Sequence, residues 1–69
     1  MFNQELFAIN LANKKLSMED LAEIIGVSKA TLSNKIKDGG RFTHSEEEKM
    51  IAVFGKKEAL AFLYSDSEQ

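Results

Sequence analysis

The stretch Leu16-Ser17-Met18-Glu19-Asp20-Leu21-Ala22-Glu23-Ile24-Ile25-Gly26-Val27-Ser28-Lys29-Ala30-Thr31-Leu32-Ser33 decides how the rest of the chain is read. Ser17 can accept a hydrogen bond from an amide in a helix's first turn, and Asp20 stands three residues on, where a carboxylate reaches back to the cap. Leu16 and Leu21 flank this cap at the spacing of a hydrophobic staple. The apolar residues Leu21, Ala22, Ile24 and Ile25 carry the helix to Gly26, which can take the left-handed conformation that a helix end often requires. Ser28 repeats the capping device, with Val27 and Leu32 at staple spacing, so a second helix begins with almost no linker. Two helices joined this tightly must cross at a steep angle. The second runs to about Lys37, with Leu32 and Ile36 facing the core and Lys29, Ser33 and Lys37 on the opposite side at the same helical spacing.

Outward from this pair, the chain reads as further helices. Phe2, Leu6, Phe7, Ile9 and Leu11 recur at spacings that fit an amphipathic helix up to about Lys14, with Asn3 as its cap. Asp38-Gly39-Gly40 breaks the helix that starts at Ser28. Thr43, with Glu46 three residues later, opens another helix whose buried stripe is Met50, Val53 and Phe54, and Gly55 ends it. Its acidic first turn, Glu46 to Glu48, suits the positive end of the helix dipole. A last helix from about Lys56 to Tyr64 carries Ala59, Leu60, Phe62, Leu63 and Tyr64. The expectation is an all-α, compact four- to five-helix bundle forming one domain over residues 1–64, with a polar tail at residues 65–69.

Composition narrows the chemistry. The 69 residues leave room for one domain, and zero Pro with four Gly favours helices joined by short connections over a sheet. With no Cys, disulfides and thiolate metal sites are excluded, and the single His argues against a nucleophilic triad or a multi-ligand zinc site, although carboxylates alone could still hold a hard cation. Glu46, Glu47 and Glu48 are consecutive on a helix and point in different directions, a poor metal site. His44 reads as an exposed helix-start residue. No cofactor, metal or small-molecule ligand is expected, and no paired catalytic groups or phosphate loop suggest an enzyme. No run approaches the length of a membrane span and the N-terminus does not read as a signal peptide, so a cytoplasmic protein is expected.

The net charge of −2 argues against a nucleic-acid partner until it is resolved by position. Residues 1–26 carry two Lys and four acids, for −2; residues 27–45 carry three Lys, Arg41 and Asp38, for +3; residues 46–69 carry three Lys and six acids, for −3. Charges beyond about 8–10 Å are largely screened at physiological salt, so the basic segment decides what approaches it.

A short helix, a turn built on Gly and a second short helix with a polar, basic exposed face make a helix-turn-helix. Leu21 to Ser33 resembles this motif in the Cro and lambda-repressor-like regulators, the xenobiotic-response-element family. Ala22 stands at the small-residue crossing position, Gly26 at the turn four residues later, and Leu21, Ile25, Val27 and Leu32 at the apolar positions. Phe42-Thr43-His44-Ser45-Glu46 is similar to the opening of the fourth helix in a phage-associated branch. Met18 departs from the pattern, standing where the family often has Gln, and Lys35 stands where many members have a buried aliphatic residue. The resemblance spans roughly Leu16 to Gly55.

Its implication is a sequence-specific DNA-binding transcriptional regulator that inserts helix 29–37 into the major groove of double-stranded DNA. Lys29, Ala30, Thr31, Ser33 and Asn34 are the expected base-contacting residues: Lys29 suits guanine O6 and N7, Asn34 suits adenine N6 and N7, and Ala30 or the Thr31 methyl suits a thymine methyl. Ser17, Ser28, Lys35, Lys37 and Arg41 are the expected phosphate contacts. One module offers few base contacts, so a homodimer on a pseudo-palindromic operator is expected, with Leu60, Leu63 and Tyr64 as interface candidates; the same helix could instead simply cover the open side of the bundle. The competing expectation is a helical protein-interaction module, antirepressor- or antitoxin-like, that keeps the fold without strong DNA binding.

Overall fold

The computed structural model describes residues 2–65. Among them the chain forms five α-helices and no strand: α1 (Gln4–Asn13), α2 (Met18–Ile25), α3 (Lys29–Lys37), α4 (His44–Phe54) and α5 (Lys56–Leu63). Of the expected polar tail, only Ser65 falls within the described residues. No helix there is long and apolar enough to cross a membrane.

Four of the five helices open on a side-chain cap. Asn3 Oδ1 accepts from Leu6 N at 2.9 Å. Ser17 and Asp20 form both halves of a capping box at 3.0 and 3.1 Å, as do Thr43 and Glu46 at 3.2 and 2.9 Å. Ser28 Oγ accepts from Thr31 N at 3.0 Å. α5 has no side-chain cap and follows α4 through the single residue Gly55.

The ends are closed differently. Gly26 lies at φ +93°, and the amides of Gly26 and Val27 both donate to Ala22 O, at 2.8 and 2.9 Å. This sharp reversal brings Ser28 into capping position two residues later. α1 closes on Lys15, a non-glycine residue at φ +56°, with Lys15 N on Ala12 O and Leu16 N on Leu11 O. α3 ends with Gly39 N on Ile36 O and Gly40 N on Lys35 O. Both endings show the paired bonds of a Schellman motif.

The core is aromatic at its centre. Phe62 is fully buried, with ring centroids 5.3 Å from both Phe7 and Phe54 and 5.9 Å from Phe2. Phe2 reaches Phe42 at 5.8 Å, so all five phenylalanines join one network. Leu21, Leu32 and Met50 are completely enclosed beside it. α2 packs on α3 and α4, while α5 packs on α1 and α4. The start of α1 and its cap strap these parts together: Asn3 N donates to Phe62 O at 2.8 Å, and Gln4 Nε2 donates to Ile36 O at 3.4 Å.

Three apolar residues depart from their expected places. Ile9 is 51% exposed because it lies two residues after the buried Phe7, about 200° around the helix. Ile24 is 42% exposed, outside the arc that Leu21, Ala22 and Ile25 turn to the core. Leu63 moves the other way: only 5% exposed, it belongs to the core and is not available as an interface residue. Of the interface candidates, Leu60 is half-buried and Tyr64 exposed.

Candidate nucleic-acid interface

The interface is built on α3, whose orientation is set by two buried side chains. Leu32 is fully enclosed and Ile36 is 8% exposed, and they stand four residues apart on one face. The remaining positions of the helix are thereby turned outward. Lys29, Ala30, Thr31, Asn34 and Lys37 are exposed, while Ser33 is half-buried at the edge of the core face. The N-terminal half of α3 thus presents a short, polar surface with one cation, the geometry needed to approach base edges.

The cap shapes that surface further. Ser28 Oγ accepts from Thr31 N and donates to Thr31 Oγ1 at 2.8 Å, so the two hydroxyls are tied together. With its proton directed at Thr31, Ser28 has no hydroxyl donor turned to solvent in this arrangement. Ser17, exposed at the start of α2, spends only its acceptor and its amide on the capping box, leaving its hydroxyl proton for another partner.

The five expected phosphate contacts separate by their electrostatics. Among the described residues, Lys37 and Arg41 are exposed and have no ion-pair partner, as has Lys29 at the other end of the helix. Lys35 differs. Its Nζ lies 3.3 Å from Glu46 Oε1, with the two side chains only 25% and 13% exposed, and it leans 3.5 Å from Arg41 O. The same Glu46 oxygen accepts from Thr43 N. Partial burial disfavours the ionised Glu46 carboxyl, but the hydrogen bonds from Thr43 and Lys35, with the charge of Lys35, outweigh it and hold the group below its ordinary value. Lys35, expected as a phosphate contact, is thus already paired with Glu46 within the protein.

Two further residues hold α2 and α3 from outside the motif. Lys49 Nζ on α4 donates to Ile25 O at 3.2 Å, placing a cation on the negative end of α2. Gln4 does the corresponding work at the end of α3. Neither is marked by a local sequence signal, since both bonds join residues more than 20 positions apart. Met18, at the first position of α2, is half-buried against the core rather than turned to solvent.

Away from α3 the surface turns acidic. α2 exposes Glu19, Asp20 and Glu23, and at the start of α4 His44 Nε2 lies 3.0 Å from Glu48 Oε2. Tyr64 OH donates to Glu47 Oε1 at 2.5 Å, joining α5 to α4; this bond first, with partial burial and the neighbouring negative charge, raises the Tyr64 pKa.

A family model described as an antitoxin Xre-like helix-turn-helix domain matches residues 7–55, a span that contains α2, α3 and α4 entire and most of α1. Comparison with curated proteins and with solved structures gives no significant match.

Proposed function

The chain belongs to the antitoxin Xre-like helix-turn-helix family, and from that premise we propose that it is a sequence-specific DNA-binding regulator whose α3 enters the major groove. The observation that carries this reading is the exposed face of α3, where Lys29, Ala30, Thr31 and Asn34 stand clear of a helix anchored by Leu32 and Ile36. Lys29 and Asn34 read base edges, with Ala30 and Thr31 against thymine methyls and Ser33 at the margin. Lys37, Arg41 and Ser17 hold phosphates and fix register without reading sequence.

The small number of base contacts favours action as a homodimer on a pseudo-palindromic operator, with two α3 helices in successive major grooves about 34 Å apart. Leu60 on α5 and Tyr64 just after it are the candidate contact. The Phe42-Thr43-His44-Ser45-Glu46 segment supports a phage or prophage origin, and a repressor role in the cytoplasm follows from the same likeness. A second reading is favoured by the family's description as antitoxin-like and by the acidic outer face of α2: the domain keeps the fold and engages a protein partner, with DNA binding weak or absent.

Selection from a random duplex pool, followed by titration at several salt concentrations, separates the two. The DNA-binding reading expects an enriched, two-fold symmetric sequence and an affinity that falls steeply with salt as counterions are released. Lys29→Glu with Lys37→Glu should abolish binding while circular dichroism stays helical. Asn34→Ala should change the preferred sequence more than it weakens random-duplex binding. A wild-type protein that binds no duplex at low salt rejects this reading in favour of the protein-interaction module.

A further inference from the structure

Lys35 is the one basic residue of α3 with an acid partner among the described residues. It sits between Asn34, on the exposed face, and Ile36, in the core, and its amine turns along the flank of the helix toward the start of α4. There Glu46 has two independent reasons to hold its position. As the third residue of a capping box it accepts from Thr43 N at 2.9 Å, and it accepts from Lys35 with the same oxygen. A phosphate approaching the loop after α3 must therefore compete for Lys35 with a carboxylate that is already in place and largely sheltered from water.

We infer that Glu46 is an internal phosphate substitute: it occupies Lys35, withholds one cation from the DNA interface, and so limits backbone affinity while leaving base reading to Lys29 and Asn34. The inference rests on the DNA-binding reading and adds to it a residue outside the helix-turn-helix that sets binding strength. The charge is +3 over residues 27–45 and +2 over residues 27–46, once Glu46 is included. The loop cation left for phosphate is Arg41, whose carbonyl is contacted by Lys35 and whose own side chain has no ion pair.

The slope of log affinity against log salt reads this directly, because each phosphate contact made by a cation contributes about 0.9 to it. Glu46→Gln keeps an acceptor for the capping box and removes only the charge. It should steepen the slope on random duplex by about 0.9 and tighten binding roughly three- to ten-fold near 0.15 M salt. Lys35→Met should leave the slope unchanged, and Arg41→Ala should reduce it by about 0.9. The double variant Lys35→Met with Glu46→Gln should return to the wild-type slope, with thermal melts establishing that each protein is folded. The inference is overturned if Lys35→Met reduces the slope, if Glu46→Gln leaves it unchanged, or if Glu46→Gln tightens binding equally without Lys35, since that would be general repulsion by a surface acid. A wild type that binds no duplex is a different result: it removes the DNA-binding reading itself.

Discussion

Lys15 and Gly40 are opposite solutions to one backbone demand. Each lies at positive φ within the Schellman ending of a helix, +56° for Lys15 and +74° for Gly40, the residue after Gly39. A side chain at such a position costs roughly 1–2 kcal/mol through crowding of Cβ against the backbone. Lys15 carries that cost, so Lys15→Gly should stabilise the fold by about 0.5 kcal/mol after allowing for the added freedom of the unfolded chain, a rise of about 3 °C in melting temperature. At Gly40 a Cβ would lie 2.4 Å from the Phe2 ring atoms Cγ and Cδ1. Gly40→Ala should therefore lose about 3 kcal/mol by overpacking and backbone strain together, enough to leave much of a domain this small unfolded. Calorimetric melts of both variants test the pair, and a Gly40→Ala protein as stable as wild type would show that the close approach of Phe2 is not required. The glycine pair is legible in the sequence as a helix break. That Gly40 also receives a phenylalanine from near the other end of the chain is not.

For the elements, the caps decide where each helix starts, and Ser17, Ser28 and Thr43 were readable because capping is local: donor and acceptor lie within three residues. α3 depends on its cap more than its neighbours do, since its first turn contains no acid to meet the helix dipole. Ser28→Ala should cost about 1 kcal/mol of folding stability, read from the denaturant midpoint. Ser28→Asp should recover that stability, because aspartate caps and favours the positive helix end, yet it should weaken duplex binding by placing a negative charge at the recognition surface. Parallel loss of stability and binding in both variants would mean that Ser28 matters to DNA only through the fold. The choice of buried face was less legible. Ile9 and Ile24 are apolar residues that helical periodicity alone admits to the core, and the packing of neighbouring helices leaves them outside.

Over the whole molecule, the segments are joined by bonds between distant residues: Asn3 to Phe62, Gln4 to Ile36, Lys49 to Ile25 and Lys35 to Glu46. The last of these makes stability depend on acid. The Glu46 carboxyl is held below its ordinary value of 4.5, so its ionised form stabilises the folded state above that value, and the contribution is lost as pH falls through the lower folded-state value. The stability difference between wild type and Glu46→Gln should accordingly be present at pH 7 and shrink on acidification below about 4.5. A difference that stays constant with pH would show that the pair contributes nothing through charge.

By itself the sequence determined the all-α class, the positions of the caps, the Gly26 turn and the polar face of α3, because each of these follows from contacts within one or two helical turns. It also placed the positive charge on residues 27–45, where the total of −2 conceals it. Tertiary structure alone decided that Lys35 faces Glu46 rather than solvent, that Leu63 fills the core, and that Gln4 and Lys49 cap helices to which they do not belong. Those outcomes depend on which helix faces pack together, and a residue's local pattern carries no record of the neighbour that another part of the chain will bring to it.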